Sequence, residues 1–319
     1  MTQPTFSVII PTRARPESLA ACLESLSNLD YPRTHFEVIV VDDGSEIPPN
    51  DVVGSFTDRL DVVLLMQPHA GPAAARNTGA ARAKGDFLAF TDDDCTPASD
   101  WLRALAARFA QAKDVAVGGR TINALPDDPY ATASQLIVDI VYAYYNADPD
   151  RARFVASNNL AVAKDLYQTV GGFDSSFPLA SGEDRDLCDR WLHHGYRLTY
   201  APEVVVRHSR PMTLVAFCRQ HFNYGRGAFR FQRARSRRGS GGVVKELGFY
   251  RKLPSLVSRS FSRVRGRKAV LPGALLVVWQ VANAAGFFWE WATQPERKSV
   301  TQSQPKAKIM NAPVKTDRA

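Results

Sequence analysis

Cysteine is scarce in this sequence. Four of the 319 residues are Cys (Cys22, Cys95, Cys188 and Cys218), and no two form a CxxC pair. That scatter argues against a disulfide framework or a zinc site and suits a reducing compartment. A basic leader followed by an apolar core is also missing. "MTQPTFSVIIPT" enters a strand at once, so no signal peptide is expected. No GxGxxG follows that strand, which disfavours a dinucleotide-dependent oxidoreductase. Internal repeats are not evident, and low-complexity sequence is confined to a Gly/Ser/Arg patch at 235–242.

What is present is globular: 45% hydrophobic and 23% charged residues, enough for one large domain or two intimate halves. The formal charge of +8 is unevenly spread. Between Arg207 and Lys268 stand 17 Lys and Arg against one acid, Glu246, so the rest of the chain carries −8. A basic C-terminal third follows an acidic body.

Short apolar runs alternate with helical patterns. Phe6–Ile10, 36–45 (a strand running into a turn), 60–66 and 86–94 read as strands. The segment 15–29 carries Leu19, Leu23 and Leu26 at helical spacing, and 71–83 is a small-residue helix opened by Gly71 and Pro72. Strand–helix alternation predicts a parallel, doubly wound sheet, whose ligands bind beyond the carboxyl ends of the strands. A helix after Trp101 to about Gln111, a strand at 115–120 and a strand, helix and Gly-Gly stop over 158–174 are expected, and a helix opens after the acidic loop at 182. Residues 269–289 carry no formal charge over 21 positions, long enough to cross a bilayer, although Pro272, Gln280, Asn283 and two glycines weaken the run.

"FLAFTDDDC" (87–95) places Asp92, Asp93 and Asp94 at a strand end, where like charges repel. A solvated loop and helix cap is one reading. A hard divalent cation such as Mn²⁺ or Mg²⁺ is the sharper one, with Asp92 and Asp94 around one ion that also binds a diphosphate. "VVDDGS" (40–45) supplies either a turn or an Asp43 carboxylate for a base or ribose. Arg76, in an alanine-rich helix beside both acidic strand ends, could reach phosphate or base. Glu183 and Asp184 either complement a helix dipole or include a general base. His208 is a metal ligand or a structural strand-end residue.

Taken together, "SVIIPTRARPESLAACLESL", "EVIVVDDGS", "GPAAARNTGAARAKGDFLAFTDDDC", "SNNLAVAKDLYQTVGGFDSSF" and "GEDRDLCDRWLHHGYRLTYAPEVVVRH" resemble, in order and over about residues 5–208, the family 2 glycosyltransferases. The resemblance implies an α/β GT-A fold, Rossmann-like, with a mostly parallel sheet flanked by helices. It implies that Pro11, Thr12, Arg13 and Asp43 line the nucleotide base site and that Arg76 contacts the nucleotide. Asp92 and Asp94 would form the DxD-type motif for metal and sugar nucleotide, with Asp93 on the ribose or donor sugar. Asp184 would be the catalytic base of an inverting displacement, Glu183 its neighbour on acceptor or donor sugar, and His208 an occasional metal ligand. The QxxRW motif of processive members is absent, so a single transfer is expected.

Aromatics interleave with the basic residues of 207–268 (Phe222, Tyr224, Phe229, Phe231, Phe249, Tyr250) just before the apolar run. That pattern favours an anionic membrane surface over nucleic acid. The expected organisation is a catalytic domain at 1–206, with a nucleotide half to about 120 and an acceptor half from 121. A basic helical region at 207–268, a membrane-associated or transmembrane segment at 269–292 and a disordered tail at 293–319 follow. The expected activity is metal-dependent transfer of a sugar from a nucleoside diphosphate sugar to a glycan or lipid-linked acceptor, on the cytoplasmic side of the membrane. The rival reading is a catalytically degenerate sugar-nucleotide binder or membrane scaffold. Residues 121–156 and 175–182, which no motif constrains, would choose the acceptor.

Overall fold

The computed structural model describes residues 3–241, 247–261 and 270–294. Every position of "FSVIIPT" is buried, which makes β1 (Phe6–Thr12) a central strand covered on both faces. β2 (Phe36–Asp43) lies parallel to it, with Thr12 opposite Asp42, and β3 (Val62–Gln67) continues that side. β4 (Phe87–Thr91) lies parallel on the other side of β1. Thr12, Asp43 and the aspartates after Thr91 therefore leave the sheet at one edge.

Beyond β4 the expected parallel winding breaks. β5 (Cys95–Pro97), β6 (Val115–Asn123), β7 (Asn159–Ala163) and β8 (Arg197–His208) complete an eight-stranded sheet of order β3-β2-β1-β4-β7-β6-β8-β5. β7 runs antiparallel to both β4 and β6, β5 runs antiparallel to β8, and β6 and β8 are parallel. The sheet is thus mixed, with four parallel pairings of seven. Apolar periodicity identifies a strand but says nothing of its direction, which is why the sequence alone suggested a doubly wound sheet.

Helices cover both faces. On one, α1 (Pro16–Ser27), α2 (Asn50–Gly54) and a further helix opened by Trp101 bury Leu19, Leu23, Val53, Leu105 and Phe109 against β1, β2 and β4. On the other, α3 (Pro72–Arg82) can lie close because its buried residues are small; a Cβ at Gly79 would stand 2.5 Å from the Ile9 side chain. With α4 being Trp101–Gln111, the next helix is α5 (Pro129–Tyr145), followed by α6 (Lys164–Val170) and α7 (Glu183–His193). Tyr167, Leu187 and Trp191 of α6 and α7 complete the second face.

A third core lies apart from the sheet. α5 packs with α8 (Leu214–Arg238), α9 (Leu247–Phe261) and α10 (Val270–Thr293) around Ile140, Phe217, Phe249, Leu276 and Trp279. Burying each such side chain stabilises by about 1.5–3 kcal/mol relative to exposure. α8 and α10 run in the same direction and touch at their backbones: a Cβ at Gly225 would stand 1.9 Å from the Asn283 carbonyl oxygen, and one at Gly286 1.8 Å from that of Phe222. Residues 270–289 of the uncharged run thus form the larger part of a helix packed on its neighbours. The expected tail after Gln294, residues 242–246 and 262–268 of the expected basic region, and residue 269 lie outside the described residues.

Candidate active site

Three strand ends converge. At the end of β2, Asp43 accepts hydrogen bonds from Gln67 Nε2 (2.8 Å), Ala70 N (2.8 Å) and Gly71 N (2.9 Å), and His69 Nδ1 lies 2.8 Å away. Burial alone would raise its pKa, but these four contacts hold the carboxyl below its ordinary value. Asp43 thereby ties down the loop that starts α3. Arg13 stacks its contacts on the same loop: its NH1 lies 3.1 Å from His69 Nε2 and its Nε donates to the Gly44 carbonyl at 3.4 Å. Pro11 is buried within β1 opposite Val41. Asp42 accepts from the Ser45 amide and hydroxyl, closing the turn.

At the end of β4 the three aspartates divide between two arginines, Asp92 on Arg76 and Asp93 and Asp94 on Arg15. Asp92 Oδ1 accepts from Arg76 at 2.7 Å. Asp93, fully buried, accepts from Thr12 Oγ1 at 2.8 Å and pairs with Arg15 at 3.1 Å. Burial pushes its pKa up to about 7, with Arg15 pulling against it and Asp94 reinforcing it. Asp94 pairs with Arg15 at 2.6 Å and with His208 Nε2 at 3.2 Å. Its burial would raise its pKa, but the His208 hydrogen bond and charge together with Arg15 hold it well below the carboxylate range. The register that sets Cys95 opposite His208 across β5 and β8 is what delivers the imidazole.

Asp94, Cys95 and His208 offer ligand atoms within 4.8 Å of one another. A carboxylate with an imidazole, and a second carboxylate on the half-exposed Asp92 nearby in the chain, fits Mn²⁺ or Mg²⁺. Cys95 does not belong to that set: burial and the neighbouring aspartates keep its thiol protonated. Asp92 itself turns toward Arg76 rather than toward the trio.

Arg76 is the hub. It is 2% exposed, donates to Asp92 and to Glu183 Oε1 (3.2 Å), and lies 5.4 Å from the centre of the Phe173 ring. Desolvation opposes its charge, but the Asp92 and Glu183 carboxylates outweigh that and raise its pKa. Glu183 opens α7 from Gly182, whose φ of +90° is a left-handed value that favours glycine. Glu183 is buried, and its second oxygen meets no partner among the described residues. Burial, then repulsion from Asp184, raises its pKa; burial also raises that of Asp184, against the pull of the Arg185 amide and of Arg76. Asp184 is the more accessible of the two and accepts from Arg185 N at 2.7 Å.

The sequence-derived residues thus assemble as Thr12 with Asp93, as Arg76 between Asp92 and Glu183, and as Asp94 with His208. Asp43 and Arg13 form a neighbouring group joined through His69. Sequence reasoning missed Arg15, His69 and Phe173. Arg15 had one visible signal, its place two residues after Arg13 and just before Pro16.

The model of the family described as "Glycosyl transferase family 2" matches residues 7–170. A pre-mycofactocin glycosyltransferase of Mycobacterium tuberculosis is 34% identical over 229 residues, which are 70% of this chain and 46% of that protein. The chain therefore spans about half the length of that relative. The glycosyltransferase AglE of Haloferax volcanii is 29% identical over 296 residues, 89% of this chain and 95% of its own. A solved mannosyltransferase of Pyrobaculum calidifontis, in complex with GDP-Man and Mn2+, superposes with a TM-score of 0.64 over 91% of this chain and 88% of that one, at 19% identity. That likeness shows the fold to be GT-A. With the match over half its length and the sheet and strand-end acids to go with it, the chain belongs to glycosyl transferase family 2.

Proposed function

We propose that this chain is a metal-dependent inverting glycosyltransferase that moves one sugar from a nucleoside diphosphate sugar to a glycan or lipid-linked acceptor. The observation that carries the reading is the meeting, at one edge of the sheet, of Asp94 with His208 and of Arg76 with Asp92 and Glu183. The mannosyltransferase that shares the fold holds GDP-Man and Mn2+, and an S. aureus TarS structure at TM-score 0.52 is a complex with UDP-GlcNAc.

Asp43, held by the 67–71 loop, and Arg13 belong to the wall for the nucleotide base, with Pro11 and Thr12 behind it. Asp94, His208 and Asp92 would hold Mn²⁺ or Mg²⁺, which neutralises charge on a diphosphate leaving group. Arg76 holds the Asp92 and Glu183 carboxylates in place. Asp184 takes the proton of the acceptor hydroxyl. The acceptor oxygen bonds the anomeric carbon from the face opposite the diphosphate, whose C–O bond breaks as the nucleoside diphosphate leaves with the electron pair. Burial raises the pKa of Asp184, which makes it a stronger base than an exposed carboxylate.

Residues 1–206 form the catalytic domain in this reading, and α8 to α10 attach it to the cytoplasmic face of a membrane. α10 is the one helix among the described residues long and apolar enough to cross. Along its exposed side stand Val277, Val281, Phe288, Trp289 and Trp291. It is fastened lengthwise to α8, whose arginines could not enter the bilayer beside it, so it lies along the interface. Calorimetry tests the core of the proposal: Asp94→Ala is expected to abolish Mn²⁺-dependent binding of a nucleoside diphosphate sugar, and unchanged binding would refute the metal assignment.

A further inference from the structure

A groove of about 720 Å³ lies between α8, the C-terminal turn of α10 and the 174–177 segment. Arg226, Arg230, Arg233 and Arg237 line it from α8, at spacings of four, three and four that place them on one helical stripe. They span about 16 Å at 1.5 Å per residue. Facing them are two carboxylates, Glu290 and Asp174. Glu290, 2% exposed, is shared between Arg226 (2.7 Å) and Arg230 (2.5 Å), so two guanidinium groups divide one negative charge. Arg233 has the neutral amide oxygen of Gln294, and Arg237 meets no carboxylate among the described residues. Asp174 is occupied in its own turn, accepting from the Ser176 amide at 2.8 Å. Arg238, at the groove's end, is spent on Asp186 and Asp189.

Like charges stacked along one stripe repel, and the concavity is deficient in anions. Guanidinium forks match phosphate oxygens in paired hydrogen bonds, better than any other side chain. We propose that this groove binds a phosphate or diphosphate group carried by the acceptor. This rests on the glycosyltransferase reading and adds to it the acceptor's chemical class. The loop explains the assignment to the acceptor rather than the donor. Asp174, Ser176 and Phe177 line the groove, and the same loop runs on to Glu183 and Asp184. Its far end is fixed to α8, with Ser181 Oγ donating to the Asn223 carbonyl at 2.7 Å and Gly182 lying against Gly227. The donor-site residues leave the sheet from other elements: Thr12 from β1, Asp43 from β2 and Asp92 to Asp94 from β4. Trp289 and Trp291 flank Glu290 on the exposed side of α10, which sets the groove at the level of lipid headgroups.

Calorimetry on the full chain with inorganic pyrophosphate tests this, in 150 mM salt with a chelator that keeps divalent ions from the aspartates. One saturable site is expected, weakened at least tenfold in Arg233→Gln/Arg237→Gln. Equal binding by the two proteins, or none by either, would overturn the proposal. Flotation on phosphatidylglycerol–phosphatidylcholine vesicles separates the sources. Displacement by pyrophosphate supports one phosphate site; vesicle binding that pyrophosphate does not disturb marks diffuse attraction to headgroups and overturns it. Binding of a nucleoside diphosphate sugar with Mn²⁺ is run in parallel and is expected to be equal in both proteins. Its absence from the wild type refutes the glycosyltransferase reading while leaving the groove result standing.

Discussion

Arg76 and Glu183, 107 residues apart in the chain, meet at 3.2 Å in the interior, and the same guanidinium holds Asp92 at 2.7 Å. One cation therefore joins α3, the end of β4 and the start of α7. Arg76→Met leaves a buried carboxylate without its counter-charge, and urea unfolding is expected to show a loss of about 3–5 kcal/mol. Arg76→Met/Glu183→Gln removes the orphaned charge and should recover part of that loss, a coupling that a double-mutant cycle reads directly.

The proposed reaction gives the two acids that open α7 different duties. Asp184→Asn is expected to lower kcat by about 10²–10⁴-fold while donor affinity stays as it was. Glu183→Gln frees Arg76 and should alter donor affinity and stability together. Steady-state kinetics beside calorimetry separates the two patterns, and turnover retained by Asp184→Asn would remove it as the base.

The seam between α8 and α10 has no slack. At Gly225 the obstacle to a Cβ is backbone, which cannot swing aside, so Gly225→Ala is expected to cost about 1–3 kcal/mol. Gly54 in α2 is the matched control, with open space around it: alanine there should stabilise by about 0.5–1 kcal/mol. Thermal denaturation of both variants checks the contrast.

His221 on α8 is 1% exposed, between the rings of Phe217 and Tyr224, and neither ring nitrogen has a partner among the described residues. Desolvation lowers its pKa to about 4. The unfolded chain, titrating near 6.5, binds the proton first as pH falls, so His221's contribution is whole above pH 6.5 and is lost between there and pH 4. At pH 5 the loss is about 2 kcal/mol relative to pH 7. His221→Phe should flatten this part of the stability profile in urea titrations.

Much of the site could be read from the chain because its acids follow apolar runs. Asp43 ends one buried strand and Asp92 to Asp94 follow another, and a strand end is visible in composition. Glu183 and Asp184 follow a glycine at a helix start. What stayed hidden depended on register and direction. Nothing local says that β7 returns antiparallel, or that Cys95 pairs with His208. Nor does anything local say that Arg15 lies across Asp93 and Asp94. α5 was missed although Asp128 and Pro129 mark its start, where the Asp128 side chain accepts from the Tyr130 and Ala131 amides. Its interior aromatics pack on C-terminal helices that the local pattern does not announce.

The contact of Gly182 with Gly227 has a practical consequence. The family match ends at residue 170, yet Asp184, the base of the proposed reaction, opens a helix whose starting glycine, Gly182, rests on Gly227 of α8. Anyone exchanging acceptor preference between relatives must therefore transplant 171–238 as one cassette. A chimera cut at the edge of the recognisable domain would keep the donor pocket and lose the aim of its proton acceptor.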